Sequence, residues 1–172
     1  EEWLTSHQNW LQQYSQVSVQ QAETFEMEKI SALSAAPPVL AVFEQKANAA
    51  VHPENRLSLV LDTIQDPGNL GTLIRIADWF GISGILCSEN CADLYNPKVV
   101  QSTMGSLGRV QLYYTDIEIF IRNYPQIPLL AAALDGLPVK EAGTIREAFL
   151  VIGNESKGIR PSLLEAATRR IT

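Results

Sequence analysis

The chain has 172 residues, of which 46% are hydrophobic and 19% are charged, enough for one α/β domain with a buried core and part of a second domain. No apolar stretch approaches the ~18 residues of a membrane-spanning helix, and the acidic N-terminus lacks the features of a secretory signal, so we expect a cytoplasmic protein without membrane contact. The net charge of −6 argues against a broad basic surface for nucleic acid, because phosphate contacts supply most of that affinity.

Residues 1–50 differ from the rest of the chain. They are rich in glutamine and predict a helix at 2–14, a second helix at 22–34 and a strand-like run, VLAVF, at 39–43. The segment 45–56 has few large apolar residues, as expected of a linker. We therefore place a domain boundary there, between a domain fragment at 1–50 and a second domain at 57–172.

From Leu57 onward, short apolar runs alternate with helical patterns, which indicates repeated βα units. Runs such as LSLVL and FLVIG are apolar on both faces, as expected where helices cover both sides of a parallel sheet. The sequence thus predicts a doubly wound α/β domain. The successive runs are LSLVLDTI, LGTLIRIADWFG, GILCS, PKVVQSTMGSLG, VQLYY, IEIFIRNY, PLLAAALD, AFLVIGN and PSLLEAATRR.

Ligands of such sheets bind at the carboxyl ends of the strands, so the loops after strands are candidate sites. Three loops qualify, at 62–75, 133–143 and 153–162. In the first loop, Asn69 is expected to cap the following helix, and Gly71 allows another backbone or a ligand to approach closely. Arg75 either points with Asn69 toward the strand ends or extends to solvent as an ordinary helix residue.

The third loop, GNESKGIRPS, carries Gly153 and Gly158 on either side of a polar segment. A phosphate-binding loop would have lysine and then serine or threonine after its last glycine, but Ile159 and Arg160 follow Gly158 here. The glycines instead suit a backbone that wraps a flat polar cofactor. Glu155 in this loop is either a structural anchor or a catalytic carboxylate.

The remaining chemically active side chains give weaker signals. Cys87 and Cys91 lack the second ligand pair of a structural zinc site, so free thiols and no metal are expected. His7 and His52 are isolated, which favours ordinary surface histidines over a catalytic triad. Several cations either converge into a local basic site or stay solvated on separate faces. They are Arg56, Arg75, Lys98, Arg109, Lys157, Arg160, Arg169 and Arg170.

Two of these segments together carry a family resemblance. DPGNLGTLIRIADWFG and VIGNESKGI closely resemble the first two signature motifs of the SpoU/TrmH family of SPOUT methyltransferases. NPKVVQSTMGSLGRV at 96–110 resembles the intervening segment, although Gln101 and Thr103 stand where arginine and serine are common. The resemblance covers 57–172 well. It covers 1–50 loosely, as the latter half of a small α/β RNA-recognition domain.

The resemblance implies an S-adenosylmethionine-dependent methyltransferase that modifies a ribose 2'-hydroxyl of structured RNA and works as a homodimer. Ribosomal RNA is the expected substrate, with transfer RNA as an alternative and no role for DNA. It also implies a C-terminal trefoil knot, an exception to the rule that connections do not thread. The third motif would begin just after Thr172, so we expect an incomplete knot in a truncated chain. A catalytically inactive RNA-binding or scaffold relative is the other interpretation.

The resemblance also assigns roles to individual residues. Arg75 becomes the catalytic residue that interacts with the target ribose and phosphate, Asn69 helps to shape that site, and Glu155 matches the glutamate of the second motif. Arginine is a poor base, with a pKa above ~12, so Arg75 is expected to hold the RNA phosphate and polarise the hydroxyl. The residues expected to line the S-adenosylmethionine site are Leu134, Gly153, Asn154 and Gly158.

Overall fold

The structure is a computed structural model that describes residues 2–14, 16–31, 33–45 and 50–172. The chain divides into two compact units, Glu1–Glu44 and Gln45–Thr172. Of the expected linker at 45–56, residues 46–49 lie outside the described part, and the proposed boundary stays a prediction. Within the described ranges, no helix combines the length and apolar character needed to cross a bilayer.

The N-terminal unit has less regular structure than the sequence predicts. Its helices are α1 (Glu2–Leu11) and α2 (Thr24–Ile30), both shorter than expected, and neither buries a residue. The strand-like run VLAVF is not a strand, and Val42 and Phe43 are 89% and 82% exposed. A strand needs hydrogen-bonded neighbours and a surface to pack against, and no other strand lies within 2–14, 16–31 or 33–45. The expectation of an α/β fragment here is therefore wrong for the described residues.

A six-stranded parallel sheet forms the centre of the second unit, as predicted. Its central strands are the apolar runs that the sequence marked as buried on both faces. The strands are β1 (Leu57–Asp62), β2 (Gly84–Cys87), β3 (Gln111–Tyr114), β4 (Leu129–Leu137), β5 (Ala148–Gly153) and β6 (Arg169–Ile171). Their order in the sheet is β3-β2-β1-β5-β4-β6.

Helices cover both faces of this sheet, which confirms the predicted α/β architecture. They are α3 (Pro67–Trp79), α4 (Pro97–Thr103), α5 (Ile117–Arg122) and α6 (Pro161–Ala166). The buried side chains of α3 and α4 pack with Leu59 and Leu61 of β1 on one face. Those of α5 and α6 pack with Val60 of β1 on the other face, because alternate strand residues point to opposite sides.

The C-terminal run PSLLEAATRR is helical only in its first part. The helix α6 ends at Ala166, and β6 then pairs with β4, an edge that the sequence analysis missed. Thr168 begins this pairing, because its backbone N–H donates to the Leu129 carbonyl at 2.8 Å and its hydroxyl accepts from the Leu129 N–H at 3.1 Å. The trefoil knot stays a prediction.

The strand order reverses between β1 and β5. The chain leaves β1 toward α3 on one face of the sheet and leaves β5 toward α6 on the opposite face. Loops that diverge in this way leave a crevice at the carboxyl ends of the strands, where ligands of open α/β sheets bind. The first and third candidate loops therefore flank the same crevice.

Candidate active site

The first loop enters α3 through a capped turn. The Asp66 carboxylate accepts the backbone N–H of Asn69 at 2.8 Å, and Pro67 occupies the first helical position. Both features favour a helix start, since the cap satisfies a free N–H and a negative charge suits the helix N-terminus. The expectation that Asn69 is the cap is wrong, because Asp66 takes that position and Asn69 is the third helical residue.

Asn69 instead connects the two motif loops. Its side-chain Nδ2 donates a hydrogen bond of 2.7 Å to Oε1 of Glu155, which lies in the loop after β5. The two residues stand 86 positions apart in sequence, and the adjacent carboxyl ends of β1 and β5 bring them together. The structure therefore unites two of the three residues assigned to catalysis.

The loop after β5 folds back on itself as a tight turn. Asn154 and Gly158 exchange backbone hydrogen bonds of 3.0 and 2.8 Å, and Asn154 Oδ1 accepts the N–H groups of Ser156 and Lys157. Gly158 has φ +70°, and a Cβ on Gly153 would lie 2.3 Å from the carbonyl carbon of Gly158. The backbone itself thus requires both glycines, and their contact with a cofactor stays a prediction.

Thr63, directly after β1, completes the connection between the loops. Its carbonyl accepts Nδ2 of Asn154 at 2.9 Å, and its N–H donates to the hydroxyl of Ser88 at 2.9 Å. Thr63 has φ +60°, a costly conformation for a β-branched residue that persists only where surrounding contacts impose it. Sequence reasoning missed this residue, and nothing in its type signals the conformation.

Leu134 lies on the carboxyl-terminal half of β4, the strand beside β5 in the sheet. Its side chain is fully exposed, at 101% of the reference value. The strand bulges between Ala132 and Leu137, and a Cβ on Gly136 would lie 2.5 Å from the Ile171 backbone. Leu134 therefore lies within the bulged stretch of β4 with its apolar side chain uncovered.

Arg75 occupies a different surface from Asn69 and Glu155. It lies two turns along α3, is exposed, and among the described residues makes no hydrogen bond or ion pair. It lines an open depression of about 690 Å³ formed by α3 and the segment after α4. The structure does not bring Arg75 into contact with the other predicted site residues. The other lining residues are Thr72, Ile76, Asp78, Trp79, Phe80, Met104, Ser106 and Arg109.

A fixed ion pair lies in the same depression. Arg109 Nε lies 3.0 Å from each carboxylate oxygen of Asp78 and Nη2 lies 2.6 Å from Oδ2, while the Ser106 hydroxyl donates to Oδ2 at 2.7 Å. The Arg109 hydrogen bond and then that of Ser106 lower the pKa of Asp78. The pair neutralises Arg109, so Arg75 is the cation of this depression that is free to bind an anion.

Three of the other six candidate cations form ion pairs with separate carboxylates, which favours the interpretation of separate charges over one basic site. Arg160 binds Asp62, Arg170 binds Asp135 at 2.6 Å, and Lys98 lies 3.8 Å from Asp66. Of the eight cations that the sequence analysis named, Arg75 and Arg109 share the depression on α3.

The two cysteines are free thiols beside the first loop. Cys91 Sγ accepts the Ile64 N–H and donates to the Leu61 carbonyl, both at 3.3 Å. A hydrogen bond from Cys87 lowers the pKa of Cys91 to about 6, and the same contact raises that of the buried Cys87. His7 and His52 are exposed, and no cluster of metal-ligating side chains occurs in the described part of the chain.

Comparison with known proteins agrees with this fold. Residues 56–172 match the model of the SpoU rRNA Methylase family, which is more than half of the chain. The chain therefore belongs to the SpoU rRNA methylase family.

Individual relatives support the same assignment. The chain is 32% identical to the 23S rRNA (guanosine(2553)-2'-O)-methyltransferase RlmP of Bacillus subtilis over 130 residues, covering 70% of this chain and 52% of that protein. A Porphyromonas gingivalis structure of the TrmH family of RNA methyltransferases matches with TM-score 0.78 and 38% identity over 90% of this chain and 63% of that one. An AdoMet-bound rRNA methyltransferase from Sinorhizobium meliloti matches with TM-score 0.63 and 31% identity over 70% of this chain and 48% of that one. The chain thus spans about half the length of the curated relatives it matches along most of its own length.

Proposed function

We propose that the protein transfers a methyl group from S-adenosylmethionine to a ribose 2'-hydroxyl of ribosomal RNA in the cytoplasm. The observation that carries this proposal is the junction of the two motif loops at the β1–β5 crevice, fixed by the Asn69–Glu155 hydrogen bond. Relatives described as rRNA 2'-O-methyltransferases share this part of the chain, and one related structure contains AdoMet.

The residues around the crevice fit an adenosyl cofactor. The uncovered side chain of Leu134 offers an apolar contact for a flat ring, and the backbone turn at 153–158 on the neighbouring strand offers polar groups along its edge. Such a site, apolar with a few fixed polar atoms, is typical of small-molecule pockets. When bound, S-adenosylmethionine supplies an electrophilic methyl group on a sulfonium. Leu134, Gly153, Asn154 and Gly158 would hold it.

Arg75 would act on the RNA. Its guanidinium is uncommitted, and its planar fork of five donors can hold a phosphate and the ribose hydroxyl in one geometry. An arginine stays protonated, so it orients the hydroxyl and stabilises negative charge rather than accepting the proton. Glu155, held by Asn69, would stay aligned at the edge of the crevice.

Because Arg75 lines the depression on α3 and makes no contact with Asn69 or Glu155, we propose a homodimer in which Arg75 serves the site of the partner copy. The surface around Arg75 supports this arrangement. Trp79, Phe80 and Met104 are 86%, 72% and 74% exposed, and Ile76 lies beside them. A contiguous exposed apolar patch is typical of an interface, and a two-fold axis would present the same patch on both copies.

The N-terminal unit offers a surface that suits RNA. On α1, Trp3 stacks on His7 with ring centroids 4.3 Å apart, and Trp10 lies 5.0 Å from Tyr14. All four side chains are at least partly exposed. Aromatic rings of this kind stack on the unpaired bases of RNA loops. We propose that this unit contributes to substrate binding.

Calorimetry on the full-length protein tests the cofactor assignment. We expect binding of S-adenosylmethionine in preference to ATP, because Ile159 and Arg160 follow Gly158 where a phosphate-binding loop has lysine and then serine or threonine. Tight binding of ATP without binding of S-adenosylmethionine would contradict the proposal.

Sedimentation tests the dimer. Trp79→Glu places a charge in the proposed interface and should shift the protein toward monomer, whereas the exposed Val139→Glu, outside that face, should not. A wild-type protein that is monomeric at all concentrations and still methylates RNA would refute the shared site.

A further inference from the structure

Both ends of the loop after β5, Gly153 and Arg160, lie against a single residue, Asp62. The loop begins at Gly153, which lies beside Asp62 in the register of β1 and β5. It ends at Arg160, whose backbone N–H donates to Asp62 Oδ2 at 2.8 Å. Asp62 therefore lies at the base of the loop and contacts it at its first and last residues.

The Arg160 side chain reinforces this closure. Its Nε and Nη2 donate to Asp62 Oδ1 at 2.9 and 2.6 Å. The backbone N–H of Arg160 therefore binds one carboxylate oxygen and its guanidinium binds the other. Asp62 is only 2% exposed, which leaves the carboxylate dependent on these partners and on the hydroxyl of Thr63 at 3.1 Å. Charge-assisted bonds to a shielded carboxylate are stronger and more directional than neutral ones.

The opposite side of Arg160 is also held. Its Nη1 lies 3.3 Å from Oε1 of Glu118 on α5, and the hydroxyl of Ser162 donates to the same oxygen at 2.9 Å. The guanidinium is thus fixed between two carboxylates on different elements. It cannot swing into solvent without breaking contacts on both sides, so the end of the loop has one preferred position.

We infer that Asp62 and Arg160 are positioning residues that hold the turn at 153–158 in the shape that binds the cofactor. The inference rests on the proposed function, because it assigns a purpose to a pair that touches neither cofactor nor RNA. Asn154 and Glu155 carry the polar groups of the turn. The Asp62–Arg160 pair fixes the position of the turn relative to β1 and Asn69.

Two substitutions in the full-length protein separate this role from general stability. Asp62→Asn keeps the shape but removes the charge and one acceptor oxygen. Arg160→Lys keeps the charge and the backbone N–H but loses the planar fork, and its side chain is one-third exposed, so the fold tolerates the change. The matched control is Arg122→Lys, because Arg122 lies 4.0 Å from the same Glu118 and does not reach Asp62.

The measurements are amide hydrogen exchange and calorimetric affinity for S-adenosylmethionine. We expect both variants to speed exchange at Ser156, Lys157 and Gly158, to leave the amides of β1 protected, and to weaken cofactor affinity on the order of tenfold. The control should match the wild type in both measurements.

Other outcomes overturn the inference. Unchanged exchange in the turn in folded Arg160→Lys would show that the pair does not position it. Equal loss of protection in the turn and in β1 would make the pair a general stabiliser, and faster exchange with unchanged affinity would remove the link to the cofactor. A wild type that binds no S-adenosylmethionine would instead refute the proposed function, while the exchange result would still decide whether the pair holds the turn.

Discussion

Replacing Gly71 with alanine should separate α3 from α4. A Cβ at Gly71 would stand 1.8 Å from Ser102 Oγ and 2.7 Å from Ser102 Cβ. Rotating the hydroxyl removes the first conflict but not the second, so α4 has to move. The Ser102 hydroxyl also donates to the Pro67 carbonyl at 3.2 Å, and that movement would break this bond between the helices.

The expected cost follows from three effects. Overpacking of a close contact costs ~1–3 kcal/mol. A lost hydrogen bond costs about 1 kcal/mol. The higher helix propensity of alanine returns about 1 kcal/mol. The net destabilisation is therefore ~1–3 kcal/mol, and at ~2–4 °C per kcal/mol for a chain of this size the Tm should fall by ~2–12 °C.

Thermal and urea unfolding measure this effect. Gly108→Ala is the matched control, because a Cβ there has no neighbour within 4 Å, and its stability should change by less than ~0.5 kcal/mol. In a double-mutant cycle, Ser102→Gly should recover much of the loss, since it removes the two nearest contacting atoms and leaves only the Ser102 carbonyl carbon at 3.0 Å. A Gly71→Ala protein as stable as the wild type, or a cycle without coupling, would refute the reasoning.

Three further predictions concern the turn at 153–158 and the two cysteines. Gly153→Ala should abolish S-adenosylmethionine binding in calorimetry, because its Cβ would lie 2.3 Å from the Gly158 carbonyl carbon, and normal affinity would contradict the closed turn. The rate at which iodoacetamide alkylates Cys91 should rise with pH, with a midpoint at about 6. Cys87→Ala should raise that midpoint, because the Cys87 thiol donates a hydrogen bond to the Cys91 thiolate. Since the pKa of Cys91 lies below its ordinary value of 9.0, its contribution to stability should be complete above pH 9 and should be lost as the pH falls toward 6, which urea titrations can follow.

The sheet and its covering helices could be predicted because burial determines the pattern of the strands. Apart from Ser58, LSLVL and FLVIG carry no polar side chain, and the structure buries β1 from Ser58 onward and buries or half-buries every residue of β5. The functional loops could be located for a related reason: in parallel sheets, the loops after adjacent strands share one edge. That rule placed Asn69 and Glu155 at one crevice without showing their contact.

The remaining features depend on contacts between distant parts of the chain. Asp66 and Asn69 both suit a helix cap, and only the backbone geometry assigns the role to Asp66. The strand β6 is polar and three residues long, so its pairing with β4 leaves no pattern in the sequence. Asp62 and Arg160 stand 98 positions apart, and neither residue type identifies the other as its partner.

The position of Arg75 differs most from what the sequence allowed us to expect. The expectation that Arg75 points toward the strand ends depended on Asn69 being the helix cap. Asn69 is the third helical residue instead, and six residues along a helix place a side chain on a different face. In the structure it lines the apolar depression of α3 instead. That position is the reason why the proposed mechanism includes a homodimer.

The most direct test of the central claim is single-turnover transfer of labelled methyl groups from S-adenosylmethionine to ribosomal RNA by the full-length protein. The wild type should transfer methyl groups, and Arg75→Ala should lower the rate by ~100-fold or more while cofactor affinity and Tm stay unchanged. Arg75→Lys should also fail, because lysine keeps the charge without the planar fork. If Arg75→Ala transferred methyl groups at nearly the wild-type rate, Arg75 would be an ordinary solvent-exposed residue of α3 and the catalytic assignment would be wrong.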